Sequence, residues 1–226
     1  MSDREALLRA VCENPDDDTP RLVLADWLEE NGEPERAEFI RIQCQLLGAH
    51  ARRIGSAEER PISLHRSQAI LEANRDRWLA ELPTPGKAGD VRWGNFFHRG
   101  FVCQVAVASL DAVVHHAEVI FAAAPVSHLF IRSARVRVGR TAIEELVGIL
   151  GYRRLRFVSL GVLDHDMAEF ESEVAALDQS RLCERMSVQF IGRGVSPQTA
   201  EERLRRVAST ASRHGRRVEY REASNL

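Results

Sequence analysis

Apolar residues recur every three or four positions in the first part of the chain, which is typical of helices that bury one face. The pattern predicts a helix over residues 2–13, with Ser2 as its N-cap. A long fourth helix is predicted from Ser63 to Leu82, after a polar, loop-like segment between His50 and Pro61. This part of the sequence therefore predicts a helical module.

The second and third predicted helices are joined by a short turn. We expect Thr19 to cap the second helix and Pro20 to take its first position, where the missing N–H is not needed. Gly32 predicts the end of this helix, because glycine accepts the left-handed backbone that ends many helices, and Pro34 opens the next one. The expected buried stripe of the second helix is Leu22, Leu24, Ala25 and Leu28.

Short apolar runs alternate with amphipathic helical stretches in the rest of the chain. The runs predict strands at residues 102–107, 126–131, 155–160, 183–188 and 215–220, and the stretches between them predict helices at residues 109–124, 141–150, 167–178 and 197–213. The strand centres lie 24 to 32 residues apart, a period typical of leucine-rich-repeat-like arrays. The predicted fold class is therefore α/β, with an N-terminal helical module followed by a parallel-sheet, leucine-rich-repeat-like βα array.

The repeat pattern is degenerate. A leucine-rich repeat usually has Asn or Cys at the turn after its strand, where this chain has Leu110, Ala134, Leu163 and Ile191. A compact open α/β sheet therefore remains the alternative. The Pro- and Gly-rich segment at residues 83–86 predicts the boundary between a helical module with its connecting helix, residues 1–86, and a βα domain, residues 87–226.

The charge composition excludes a global electrostatic attraction to nucleic acid or to a membrane, because the net charge is only −2. Lys87 is the single lysine among 31 cationic residues, and arginines spread along the chain are typical of a GC-rich genome. The four cysteines are widely spaced and predict free thiols in a reducing compartment. Since the N-terminus has no signal-peptide pattern and no apolar run reaches 18 residues, we expect a cytoplasmic protein.

The segment from Glu5 to Leu47 resembles the bacterial repeat-companion domain, a short helical module at the N-terminus of many paralogous bacterial proteins. The resemblance is carried by Pro15, Asp18, Pro20, Arg21, Leu22, Leu24, Ala25, Asp26, Trp27, Leu28, Gly32, Pro34, Glu35, Arg36, Ala37, Glu38, Phe39, Ile40 and Gln43. Such modules commonly precede leucine-rich or other repeats. The segments Trp93–Phe101 (WGNFFHRGF) and Phe121–Pro125 (FAAAP) resemble the sequences that usually come before those repeats. The resemblance implies a fold more than a function, since the family has no established enzymatic activity.

Asp26, Arg36 and Glu38 are candidates for an acid/base cluster, which would require them to converge in a cleft. The interpretation that we favour is structural: Asp26 and Arg36 bridge two antiparallel helices across the turn at Gly32. Trp27 is then expected to pack against Phe39 and Ile40 as a core or domain-interface aromatic.

Two other chemistries are alternatives. Asp164, His165 and Asp166 follow the third predicted strand of the second domain, where a metal-dependent hydrolase would place its site. A basic stretch near the C-terminus is a candidate contact for nucleic acid, although glutamates flank it: Arg203, Arg205, Arg206, Arg213, Arg216 and Arg217. We expect neither, and the sequence predicts no cofactor and no metal.

The favoured function is a non-enzymatic protein–protein interaction or scaffold module. Strand alternation predicts an exposed surface at Phe130, Arg132, Arg156, Ser159 and Gln189. The predicted partner is another protein, or a second copy that pairs with the last strand at the edge of the sheet. Enzymatic activity is the less favoured interpretation.

Overall fold

A computed structural model of the chain describes residues 2–52, 59–133, 148, 155, 157–160, 188–192 and 218–222. Within these residues the protein is mixed α/β, with five helices and eight strands. It divides into two compact units. The helical unit comprises Met1–Pro83, Trp93–Gln104 and Glu118–Val126, and the βα unit comprises Thr84–Arg92, Val105–Ala117 and Ser127–Leu226. The helical unit therefore includes two segments that lie beyond residue 86.

Four helices form most of the helical unit: α1 (Asp3–Glu13), α2 (Thr19–Glu30), α3 (Pro34–Arg52) and α4 (Glu59–Ala80). The predicted N-cap of α1 is confirmed, because the Ser2 Oγ accepts the Glu5 N–H while the Glu5 carboxylate accepts the Ser2 N–H at 2.8 Å. Helices α3 and α4 extend into the segment predicted as a loop, so that prediction was too long.

The two ends of α2 were predicted with different success. Thr19 is already helical and does not cap α2; Asp18 is the N-cap residue, and its side chain makes no capping bond. The Asp17 carboxylate instead accepts the Thr19 N–H at 2.9 Å. At the other end, Gly32 has φ +88°, and the Glu33 N–H donates to the Leu28 carbonyl at 2.8 Å. This is a Schellman motif, and it confirms Gly32 as the helix stop.

The buried face of α2 is offset from the predicted one. Leu22 is 40% exposed, whereas Arg21 is only 1% exposed. Arg21, Leu24, Ala25 and Leu28 follow the i, i+3, i+4, i+7 spacing of one helix face, which leaves Leu22 on the solvent side. The main apolar core of the unit consists of Val11, Leu24, Ala25, Leu28, Ala37, Ile40, Cys44 and Phe101.

Arg21 can be buried because its guanidinium satisfies backbone carbonyls. The Nη1 atom donates to the Asp17 carbonyl at 2.8 Å and to the Asn14 carbonyl at 3.4 Å. Asn14 is the C-cap of α1, so the side chain ties the end of that helix to α2. The Arg21 guanidinium also lies 5.9 Å from the centroid of the Phe101 ring.

A short β-hairpin packs against α3. Its strands are β2 (Phe97–His98) and β3 (Phe101–Val102), which pair antiparallel. The two turn residues between them, Arg99 and Gly100, both have positive φ, as a type I′ turn requires. The Gly100 N–H donates to Gln43 Oε1 of α3 at 2.8 Å, so the hairpin turn is in direct contact with that helix.

The remaining strands form two small sheets. A four-stranded sheet has the order β1-β4-β5-β6, formed by Val91–Trp93, Gln104–Ser109, His128–Ser133 and Phe157–Leu160, and helix α5 (Leu110–Ala123) connects β4 to β5. The second sheet pairs β7 (Val188–Gly192) with β8 (Val218–Glu222). The β5–β6 and β7–β8 pairs are parallel.

Strand β1 was not predicted, and its direction differs from that of a purely parallel array. The Gly94 N–H donates to the Gln104 carbonyl and the Ala108 N–H to the Asp90 carbonyl, an order that makes β1 antiparallel to β4. The predicted strand at 102–107 is also corrected, since Val102 belongs to the hairpin and β4 begins at Gln104. Of the predicted run at 183–188 only Val188 is described, and the helices predicted at 167–178 and 197–213 lie outside the described residues.

Candidate functional site

The bridge between α2 and α3 is made by Arg41 and not by Arg36. The Arg41 Nη2 atom lies 2.7 Å from Asp26 Oδ1 and 2.7 Å from Glu29 Oε2. Successive residues of a helix are rotated by about 100°, so Arg36 and Arg41 project from different faces of α3. The predicted Asp26–Arg36 pair was therefore wrong, although the helices are bridged.

Glu38 pairs with another helix altogether. The Arg66 Nε and Nη2 atoms of α4 donate to the two oxygens of the Glu38 carboxylate at 2.7 and 2.6 Å. This bidentate hydrogen bond lowers the pKa of Glu38. Because Glu38 faces α4 and Asp26 faces Arg41, the structure does not bring the three motif charges together as an acid/base cluster.

Arg36 lies among aromatic rings. Its guanidinium carbon is 4.1 Å from the centroid of the Trp78 ring, 5.4 Å from that of Phe101 and 6.0 Å from that of Phe97. Burial lowers the pKa of Arg36 to about 10, although the negative charges of Glu81 and Glu33 oppose this shift. The side chain remains protonated at neutral pH, so a positive charge is held inside this aromatic cluster.

Phe39 belongs to the same cluster. Its ring centroid lies 5.1 Å from that of Trp78 and 6.0 Å from that of Phe97. Trp27 packs elsewhere, against the core cluster that contains Ile40, and it is partly buried. The expected packing of Trp27 against the core is confirmed, and the aromatic partners of Phe39 are Trp78 and Phe97.

A pocket of about 380 Å³ opens beside Arg36 within the helical unit. Its walls are mostly apolar and include Leu8, Leu28, Leu82, Phe97, Phe101 and Ala124. The charged side chains that line it are Arg4, Arg36 and Glu81. Trp78 forms another part of the wall and is only 3% exposed. Pockets of this size and lining are typical of small-molecule sites.

Two residues that line the pocket, Arg36 and Trp78, each carry a buried donor, Nη1 and Nε1, that has no hydrogen-bond acceptor among the described residues. The other unpaired buried donors in the described ranges are the Nε atoms of Arg21, Arg75, Arg99 and Arg132, and none of these residues lines the pocket. Most buried polar groups in proteins are hydrogen-bonded, so the two unpaired donors distinguish Arg36 and Trp78 from the other residues that line the pocket.

The predicted interaction surface is described in part. Leu129 and Ile131 of β5 are buried at 1%, whereas Phe130 and Arg132, which alternate with them, are half-buried on the opposite face. Ser159 is in register with Phe130. Gln189 is in register with Glu219 of β8, and Arg156 lies outside the described residues.

Arg132 has a structural contact that the alternation could not predict. Its Nη2 atom donates to the Gly89 carbonyl, which ties β5 to the turn before β1. Its guanidinium is thus already engaged within the βα unit. Phe130 is therefore the better candidate for contact with another molecule.

The described ranges contain no group of three His, Cys, Asp or Glu side chains that could hold a metal ion. Asp164, His165 and Asp166 lie outside them, as do the C-terminal arginines of the nucleic-acid alternative. In the same ranges, no helix is long and apolar enough to cross a membrane.

Sequence reasoning missed Arg21 as a buried residue and Trp78 as a pocket residue. The helix phase of Leu24, Ala25 and Leu28 contained the signal for Arg21, because i−3 from Leu24 is position 21. Trp78 gave no such signal, since its contact with Arg36 joins residues 42 positions apart. Comparison with protein-family models, with curated proteins and with solved structures found no significant match.

Proposed function

We propose that this chain is a non-enzymatic protein-interaction module that presents one face of its β4–β5 strands to a protein partner. The observation that carries the proposal is the half-buried Phe130 between two fully buried neighbours. On β4, Ala106 and Ala108 alternate in the same way with Val105 and Val107, which are both 0% exposed. Small side chains beside an aromatic one leave a flat surface of the kind that a protein partner can cover.

We further propose that the helical unit acts as a repeat-companion-like module and that the βα unit is a degenerate leucine-rich-repeat-like array in the cytoplasm. The β4–α5–β5 succession and the parallel β5–β6 and β7–β8 pairs support an array of βα units. In such arrays, the exposed strand face commonly serves as the recognition surface, which is consistent with a role for Phe130.

Site-specific photocrosslinking tests the proposal. A photoreactive amino acid at Ala106 should capture a discrete partner from the cytosol of the native host. The same amino acid at Ile62 is the matched control, because Ile62 is 69% exposed on α4 and distant in sequence from the strands. Capture at Ala106 that disappears on Phe130→Glu, with the thermal unfolding midpoint retained, is the expected result.

The outcomes separate the alternatives. Equal capture at Ala106 and Ile62, or capture that persists in Phe130→Glu, would contradict the proposed surface. A crosslink between two copies of the chain would identify self-association, for which the terminal strand β8 is the candidate edge.

A further inference from the structure

The pocket beside Arg36 has a chemistry that the proposed interaction surface does not use. It lies in the helical unit, whereas Phe130 and Ala106 belong to the βα unit. Arg36 and Trp78, two of its lining residues, each carry a buried donor without an acceptor among the described residues, and most of the other lining residues are apolar. A ligand that suits both the Arg36 charge and this lining would therefore combine a hydrogen-bond acceptor with an apolar body.

The charges at the pocket favour an anionic acceptor. Arg4 and Glu81 both reach the lining, but they pair with each other at 3.5 Å, and about half of each side chain is exposed to solvent. Arg4 also pairs with Glu33 at 2.9 Å. The third charged side chain of the lining is Arg36, and its Nη1 atom has no acceptor among the described residues. Its guanidinium carbon lies over the Trp78 ring, 4.1 Å from the ring centroid.

We propose that this pocket binds a small organic carboxylate with an aliphatic or aromatic body. The carboxylate would pair with the Arg36 guanidinium beside Trp78, and the body would lie against Leu28, Phe97 and Phe101. A guanidinium is suited to this group because its planar donors match carboxylate oxygens. The pocket volume of about 380 Å³ is in the range that holds a small molecule.

Binding of octanoate to the full chain tests the proposal, with octanamide as the matched uncharged probe. Titration calorimetry should show that octanoate binds at least about tenfold more tightly than octanamide, because hydrogen bonds to a charged group are the stronger ones. In nitrogen-15 NMR spectra, octanoate should shift the indole N–H signal of Trp78. The indole signal of Trp27, which does not line the pocket, should stay in place.

Variants identify the donor. Arg36→Met should weaken octanoate binding by about ten- to a hundredfold, and Arg36→Lys should retain part of it. Arg41→Met is the matched control and should leave the affinity unchanged, because Arg41 pairs with Asp26 and Glu29 and does not line the pocket.

A second variant keeps the test decisive if Arg36→Met does not fold. Ala123 is half-buried on the pocket wall, so Ala123→Phe should fill part of the space and weaken octanoate binding while the chain stays folded. Equal affinity for octanoate and octanamide, no octanoate binding at millimolar concentration, or full affinity in folded Arg36→Met would each overturn the proposal.

Discussion

Replacing Gly100 with alanine tests how closely the β2–β3 hairpin packs on α3. Gly100 has φ +85°, and a Cβ atom at this position would overlap Ile40 Cγ1 and lie 2.8 Å from Ile40 Cα. The second of these atoms is backbone and cannot rotate away. The substitution must therefore shift the hairpin or α3, and it also weakens the alignment of the Gly100 N–H with Gln43.

Gly32→Ala provides the matched control for this substitution. Gly32 has nearly the same backbone angle, φ +88°, but a Cβ atom there would meet nothing within 4 Å. Left-handed backbone alone destabilises a residue with a side chain by about 1–2 kcal/mol, which is the expected effect of Gly32→Ala. Overpacking adds about 1–3 kcal/mol, so Gly100→Ala should lower the free energy of unfolding by about 2–5 kcal/mol.

Urea denaturation followed by tryptophan fluorescence measures both variants. All three tryptophans of the chain, Trp27, Trp78 and Trp93, belong to the helical unit, so the signal reports the unit that contains both glycines. We expect the Gly100→Ala midpoint to fall further than the Gly32→Ala midpoint. Equal losses would refute the argument, because they would show that the contact with Ile40 does not limit the space at Gly100.

Three further predictions concern single side chains of the helical unit. Arg21→Ala should destabilise the chain by about 2–4 kcal/mol, because it leaves the Asn14 and Asp17 carbonyls without their donor and removes buried side-chain carbons. In the same denaturation experiment, Arg41→Ala should change the free energy of unfolding by less than about 1 kcal/mol. Leu22→Gln should leave the thermal unfolding midpoint nearly unchanged, whereas Leu24→Ala should lower the free energy of unfolding by about 2–5 kcal/mol. A larger effect of Leu22→Gln would instead support the predicted buried stripe that included Leu22. Burial raises the pKa of Cys44 to about 12. Peptide mapping should therefore find this thiol unalkylated by iodoacetamide at about pH 8 until the chain is denatured. The contribution of the protonated Cys44 thiol to the free energy of unfolding should be lost only as the pH rises from about 9 towards 12.

Local features of the helical unit could be predicted because they depend on residues close together in the chain. The Ser2 cap needs only Glu5 three residues later, and the Gly32 stop needs only the carbonyls of the preceding turn. The same holds for the alternation of Leu129 and Ile131 with Phe130, which follows from the two-residue period of a strand.

The candidate site could not be predicted in this way. Arg36 contacts Trp78, and Glu38 contacts Arg66, through pairings between α3 and α4 that depend on how the two helices are rotated against each other. We expected Arg36 to pair with Asp26 because the two residues flank one turn, but in the structure Asp26 pairs with Arg41. Proximity along the chain was a poor guide to which charges meet.

The sequence by itself determined where α1 begins and where α2 ends, because backbone hydrogen bonds at a helix terminus are satisfied by neighbouring residues. Only the tertiary structure decided that Arg36 lies against Trp78 and that Glu38 pairs with Arg66, since these contacts join α3 to α4. The segment from Leu22 to Gln43 contains most of α2, the turn at Gly32 and the first half of α3. Arg41 pairs with Asp26 and Glu29 inside this segment, whereas the contacts of Arg36 and Glu38 depend on helix α4 and on the β2–β3 hairpin.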